Sequence, residues 1–315
     1  MYEIGIIFPG QGSQYVGMGK DFYDNYSVVR EMFHTAGDIV GYDVKSLIFE
    51  GPKEKLKETL FTQVCVYLVS VAMFEVFKQS NKCDVKKCIF AGHSLGEYSA
   101  LYASGAVDFA TGMRLVKRRA KLISECAQRT KSGMVAAIGL DKGIVVEICE
   151  NVKSKGLVVE PANFNSPKQI VISGEEEGLR EASLIIKEKG GKPIPLEVSG
   201  GFHSSLMDGA AETFAKEIGE YDIRDPLTAI VSNYDAKIST DKETIKYKLV
   251  KQINHPVYWQ DCVHTMINAG VRKFIEIGPK AVLTGLMKHI LPESPHYQNI
   301  VVLSISTVEE LIAYQ

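Results

Sequence analysis

Short apolar strand signals alternate with helical periodicity along most of the 315-residue chain, which predicts an α/β fold with a mainly parallel sheet covered on both faces. A second observation divides the chain. Between about 129 and 198 the order becomes β-α-β-β-α-β, the pattern of a ferredoxin-like α+β unit. A third is a glycine-bracketed serine at a strand-to-helix junction, which gives the remainder an α/β-hydrolase-like character. The expected organisation is a large α/β domain from 1–128 and 199–315, with residues 129–198 as an inserted subdomain.

The elements follow in order. "EIGIIF" (3–8) is a short apolar strand that runs into the glycine-punctuated loop "PGQGSQ". Helical patterns fill about 16 to 60. "QVCVYLVSVAMFEVF" (63–77) is apolar almost all round and predicts a buried helix. "KCIFAG" (87–92) is a second strand, and "HSLGEYSALYAS" after it is helical, as is 108–128. Within the insert, strands are expected at 133–140, 157–162, 168–174 and 192–198, with helices at 141–151 and 176–189. Beyond it come helix 204–220, strand 227–233, helices 241–253 and 259–269, strand 273–278, helix 280–290 and strand 299–305.

Composition bounds the function. The chain is 45% hydrophobic and 23% charged, ordinary for a soluble globular protein. A net charge of −2 without a basic block argues against nucleic acid or an anionic membrane surface as partner. The apolar N-terminal run ends at Pro9-Gly10 and lacks a basic start, so no secretory signal is read. No run approaches 18 apolar residues. Six scattered cysteines, of which only Cys83 and Cys88 are close, complete no zinc site and read as reduced thiols in a cytoplasmic protein.

Gly92-His93-Ser94-Leu95-Gly96 carries the chemistry. The glycines permit a tight turn that presents Ser94 beyond the sheet end, where the Leu95 N–H and the helix dipole face a developing oxyanion. The alternative is a glycine-rich turn with an incidental serine. A nucleophilic serine needs a base. Of the seven histidines, His34, His264 and His289 lie on ordinary helical stretches, and His93 adjoins the serine as a packing or hydrogen-bonding residue. His203, in "VSGGFHSSLM", follows a strand and two glycines at a helix start. No Asp or Glu occupies an obvious triad slot, so a carbonyl or amide is expected to orient the imidazole.

A helical wheel over 113–128 places Arg114, Lys117, Arg118, Lys121, Ser124, Glu125 and Gln128 on one arc. Arg119 falls in the middle of the apolar arc. A guanidinium there keeps its charge and needs an anion. On the wheel alone a structural ion pair with an Asp or Glu is the commoner fate of such a residue, and a substrate anion is the other.

With these residues assembled, the chain resembles malonyl-CoA:acyl-carrier-protein transacylases nearly end to end. The motifs are "FPGQGSQ" at 8–14, "GHSLGEYSAL" at 92–101, "LVKRRAK" at 115–121, "NSPKQIVISG" at 165–174, "GFHSSLM" at 201–207, "QINHPVYW" at 252–259 and "EIGPKAVLTGL" at 276–286. The wording of 92–122 is similar to free-standing, trans-acting acyltransferases of polyketide synthases. The resemblance implies Ser94 as acyl-accepting nucleophile and His203 as base. It implies an oxyanion hole from the backbone N–H groups of Gln11 and Leu95, and Arg119 as the grip on the malonyl carboxylate. Gln252, or a carbonyl of its stretch, would orient His203, with His93 in support. Phe202 resembles the malonyl-preferring pattern; Gly201 stands where relatives often have Ala or Ser, and the Gly200-Gly201 pair would loosen the pocket wall. His255 stands where relatives have Asn. Malonyl-CoA and an acyl carrier protein are the implied partners, with no metal or other cofactor. The rival readings are a hydrolase that edits carrier proteins, a thioesterase, and a non-catalytic docking module for carrier proteins.

Overall fold

A computed structural model describes residues 2–80, 83–294 and 297–314. Its strands are β1 (Ile4–Phe8), β2 (Cys88–Gly92), β3 (Ser132–Ile138), β4 (Val159–Ser166), β5 (Gln169–Glu175), β6 (Lys192–Pro195), β7 (Ile230–Val231), β8 (Ile238–Ser239), β9 (Lys273–Ile277) and β10 (Val301–Ile305). Six form one sheet in the order β10-β9-β1-β2-β7-β8, and four form another in the order β4-β5-β3-β6. The first is parallel except for the β7–β8 pair. Strand side chains alternate between its two faces, and both faces are buried. Ile6, Phe8 and Phe90 enter one apolar core, while Ile7, Ile89, Ala91 and Val231 enter the other.

Helix Thr59–Gln79 is buried on nearly every side and covers the first face. Among the described residues it is the one helix long and apolar enough to cross a membrane, yet it packs inside the protein. Helix Phe109–Ala127 lies against it. The wheel is realised residue by residue: Met113, Leu115, Val116, Arg119, Ala120, Leu122, Ile123, Cys126 and Ala127 are buried, whereas Arg114, Lys117, Lys121, Glu125 and Gln128 are exposed.

The four-stranded sheet is antiparallel, with β3 flanked by β5 and β6. Helices Lys142–Ser154 and Glu176–Glu188 close a small core of their own over it. It joins the rest through paired backbone bonds: Phe164 N–H donates to the Val257 carbonyl and Val257 N–H to the Ala162 carbonyl, both at 2.9 Å. The Phe164 ring stacks on Tyr258 with centroids 5.2 Å apart.

The helical patterns expected over about 16–60 form four helices, Lys20–Asn25, Ser27–Val40, Val44–Phe49 and Lys53–Lys57. Two sequence expectations shift. The strand expected at 227–233 contracts to Ile230–Val231, because Asn233 leaves the ladder to bond the Ser94 turn. β8, two residues long, is too short to carry a period and was not anticipated. The strand expected at 192–198 ends at Pro195; Pro193 and Pro195 lack N–H groups, which limits the ladder on this exposed edge.

Candidate active site

Loops after β1 and β2 meet at the carboxyl end of the parallel sheet, where β1 has β2 on one side and β9 on the other. The turn after β2 is as tight as its glycines allow. A Cβ on Gly92 would lie 1.9 Å from the Gly96 carbonyl carbon, and one on Gly96 would lie 2.1 Å from the Phe8 carbonyl oxygen. Between them Ser94 is held at φ 50°, a left-handed conformation uncommon for a side-chain-bearing residue. Asn233 braces it: its Oδ1 accepts the Ser94 N–H at 2.6 Å and its Nδ2 donates to the Gly92 carbonyl at 2.8 Å.

His203 reaches Ser94 from the other side, with Nε2 2.7 Å from the serine Oγ. Its Nδ1 lies 2.7 Å from the backbone oxygen of Gln252. A carbonyl only accepts, so Nδ1 carries the proton and Nε2 accepts from the Ser94 hydroxyl. Burial, and after it the charge of Arg119, pulls the His203 pKa down to about 3, so the imidazole is neutral at pH 7. The route to this position differs from the one expected. The preceding strand belongs to the antiparallel sheet and ends eight residues earlier; His203 itself sits at φ 57° ahead of helix Asp208–Glu217.

Arg119 is 2% exposed and makes no ion pair among the described residues. Its Nη1 donates to Gln63 Oε1 at 2.7 Å; its Nη2 donates to Gln252 Oε1 at 2.9 Å and to Ser94 Oγ at 3.1 Å. The guanidinium also lies 5.4 Å from the Tyr98 ring centroid. A structural partnership with an Asp or Glu is therefore not its fate here. Gln252 serves twice, its main chain holding His203 and its side chain holding Arg119.

A cavity of about 600 Å³ opens over these groups. Gln11, Ser94, Leu95, Arg119, Phe202 and His203 all line it. The backbone N–H groups of Gln11 and Leu95 take no acceptor among the described residues, while the Gln11 side chain is turned aside to donate to Thr59 Oγ1 at 3.2 Å. The Gln11 loop presses on the elbow: a Cβ on Gly10 would lie 2.4 Å from the His93 carbonyl oxygen. Met134, Ala136 and Val171 of the antiparallel sheet form the opposite wall.

Gly201 lies just off that wall: the lining passes from Val198 to Phe202, the Gly201 N–H donates to Ser132 Oγ at 3.0 Å, and a Cβ there would lie 2.8 Å from Leu206 Cδ1. His93 points away from Ser94; its Nε2 meets Asn165 Oδ1 at 2.7 Å, and burial lowers its pKa. His255 bonds locally, to Lys251 O and Asn254 Oδ1. His34 pairs with Asp38 on the surface, and His296 lies outside the described residues. Asn233, Gln63 and Glu97 went unnoticed in the sequence. Asn233 and Gln63 carry no motif signal, whereas Glu97, three residues past the serine in a helix otherwise apolar around it, was a visible one.

A serine donating to a neutral, carbonyl-held imidazole, beside two free backbone N–H groups and a buried cation, is equipped for acyl transfer through a serine ester. Residues 6–305 match the model of the acyl transferase domain family, and the chain belongs to that family. It is 40% identical over 291 residues to a malonyl CoA-acyl carrier protein transacylase of Bacillus subtilis, covering 92% of this chain and 91% of the relative. Its fold superposes with a TM-score of 0.93 on an acyl carrier protein S-malonyltransferase from Vibrio cholerae, 38% identical, covering 99% of this chain and all of that one. A malonyl-transacylase solved in complex with a type II PKS acyl-carrier protein gives the same TM-score at 37% identity, covering 99% and 98% of the two chains.

Proposed function

We propose that the protein moves malonyl from malonyl-CoA to the phosphopantetheine thiol of an acyl carrier protein, in fatty-acid or polyketide biosynthesis. The observation that carries this reading is Arg119: a buried cation at the nucleophile whose protein partners are neutral oxygens. A substrate carboxylate supplies the missing anion in a charge-assisted, two-pronged pair. A thioesterase or editing hydrolase for neutral acyl groups has no use for it, and a docking module has no use for the Ser94–His203 pair.

The reaction is ping-pong. Ser94 Oγ attacks the thioester carbonyl and its proton passes to His203 Nε2. The tetrahedral oxyanion sits between the Gln11 and Leu95 N–H groups. The carbon–sulfur bond breaks, the CoA sulfur takes the proton, and malonyl-Ser94 remains. The carrier thiol gives its proton to His203 and attacks the ester, and Ser94 Oγ leaves with that proton. A carboxylate seated on Arg119 offsets the charge that depresses His203, so the substrate itself strengthens the base. His93 supports the cavity wall through Asn165. Phe202, 9% exposed on that wall, crowds an α-methyl group and favours malonyl over methylmalonyl. Ser, His, Arg and backbone complete the cycle, so no metal or redox cofactor takes part, and the enzyme acts in the cytoplasm. Residues 129–198 are an inserted subdomain on a catalytic domain of 1–128 and 199–315, and the cavity between them is where the acyl chain enters.

The test is the intact mass after incubation with malonyl-CoA. A malonyl adduct on the wild type, absent from Ser94→Ala, is expected. An adduct on Ser94→Ala mapped to another residue would overturn the assignment, and fast release of free malonate without an acceptor thiol would favour the hydrolase.

A further inference from the structure

We propose that Glu97 is a positioning residue for the acyl-donor carboxylate: it fixes the side-chain amide of Gln252 in the orientation that turns an oxygen toward Arg119. The inference rests on the reading of Arg119 as the carboxylate-binding residue.

Glu97 lies in the first turn of helix Gly96–Ala103 and is only 2% exposed. A carboxylate so deeply buried needs donors, and among the described residues it has no ion pair within bonding distance. Instead its Oε2 accepts from Gln252 Nε2 at 2.6 Å and from the Asn233 N–H at 3.2 Å. The two ends of an amide are not interchangeable. Gln252 Nε2 has two hydrogens; the second goes to the Ser94 carbonyl at 2.9 Å. Both donors are thereby committed, and Oε1 is left facing the Arg119 Nη2 at 2.9 Å. Rotating the amide by half a turn would set its N–H groups against a guanidinium and its oxygen against a carboxylate and a carbonyl. Glu97, the only charged acceptor of the three contacts, decides the matter. Asn233, held by the same carboxylate oxygen, grips the Ser94 N–H from the other side.

Among the described residues, four titratable groups face Glu97. Tyr98 shares its helix, Arg119 comes from helix Phe109–Ala127, Lys248 from helix Lys242–Asn254, and Cys262 from helix Trp259–Asn268. Burial raises the Tyr98 and Cys262 pKa values, so both are neutral; Arg119 is a guanidinium, and Lys248 is paired with Asp235 at 3.1 Å. Burial also lifts Glu97 to a pKa of about 6, against the pull of its donors and Lys248. Protonated, it can donate as well as accept, and its command of the amide weakens.

The experiment uses the full-length enzyme with free pantetheine as acceptor thiol. Specificity constants for malonyl-CoA and acetyl-CoA are measured from pH 5 to 8 for wild type and Glu97→Gln, with thermal melting to verify the fold. Specificity constants report the free enzyme, in which the His203 titration is common to both substrates and cancels in the ratio. The wild-type malonyl-to-acetyl ratio is expected to fall on acidification with a midpoint near 6. In Glu97→Gln it is expected to be about tenfold lower at pH 8, the loss of one hydrogen bond to a charged group, and flat with pH. A folded Glu97→Gln enzyme that keeps the wild-type ratio, or loses both activities by one factor, overturns the proposal. If that variant does not fold, the wild-type arm decides, and a flat ratio overturns it. Failure of the underlying reading looks different: the wild type would then make no malonyl adduct, or Arg119→Ala would leave the ratio intact.

Discussion

Arg118 and Arg119 are adjacent in sequence and share one helix, yet they occupy opposite environments. Arg118 lies at the surface and meets Glu217 with two bonds, Nε to Oε2 at 2.6 Å and Nη2 to Oε1 at 2.5 Å. Arg119, one step of about 100° away, is sealed inside among neutral oxygens and an aromatic ring. The surface arginine has a permanent anion where water would have served. The buried one, where an anion matters most, has none bonded to it among the described residues. A buried cation without a bonded counter-ion is destabilising, so its retention at a cavity beside Ser94 and His203 reads as a function rather than as architecture.

Removing each side chain tests that difference most sharply. Arg119→Ala should lower the malonyl-to-acetyl ratio of specificity constants by roughly 30-fold to 3,000-fold, the range for truncating one member of a desolvated, hydrogen-bonded charge pair. Acetyl has no carboxylate to pair, so its transfer should change little. Arg118→Ala should leave the ratio within about twofold, because its partner is protein and its position is on the solvent-facing arc of the helix. Collapse of the ratio in Arg118→Ala, with Arg119→Ala spared, would reverse the two roles. Arg119→Lys sharpens the point: an ammonium keeps the charge but not the fork that reaches Gln63, Gln252 and Ser94 at once, so it should recover only part of the lost ratio. Full recovery would mean that charge alone is read.

A second, smaller effect concerns the base. The Arg119 charge contributes to the depressed pKa of His203, after burial. In ¹⁵N-histidine NMR titrations the wild-type His203 ring should stay neutral down to about pH 3. In Arg119→Ala the midpoint should rise while remaining below the ordinary value of about 6.5, since burial persists. Arg118→Ala should not move it. A His203 that titrates near 6.5 in the wild type would contradict the buried, carbonyl-held geometry.

Much of this was legible in the sequence. The wheel placed Arg119 on the apolar arc because a 19-residue helix with strict periodicity leaves little freedom in phase. The glycine spacing of 92–96 announced the elbow, since backbone atoms fill the space where any Cβ would go. The strand-helix order from 132 to 195 announced the antiparallel unit and its sheet. What was not legible depends on contacts across the chain. Asn233 sits 139 residues from the serine whose N–H it accepts, and neither periodicity nor spacing links them. Gln252 was singled out, but a side chain and a main chain that serve different residues leave no separate traces in one letter. Gly201 is illegible for a related reason: a missing side chain says nothing about whether its space is open or, as here, faces the Leu206 side chain.

The smallest expected effect belongs to the surface pair. Both side chains of Arg118 and Glu217 keep about a quarter of their exposure, 28% and 27%, so water screens the attraction. Two parallel bonds place the pair toward the upper end for exposed ion pairs, and Arg118→Ala should cost about 0.5–1 kcal/mol. The sign with pH follows from Glu217. Its bond to Arg118 lowers its pKa from the ordinary carboxylate value, so the unfolded chain binds the proton more readily than the folded one. The pair's contribution is therefore fully present above the ordinary value and is lost as pH falls through the lowered one. Urea melts of wild type and Arg118→Ala at pH 7 should differ by that small amount, and the gap should narrow on acidification and in 1 M salt. A gap that widens with acid, or one of several kcal/mol, would show Arg118 to be as structurally committed as a core residue, and the contrast with its neighbour would then need a different physical basis.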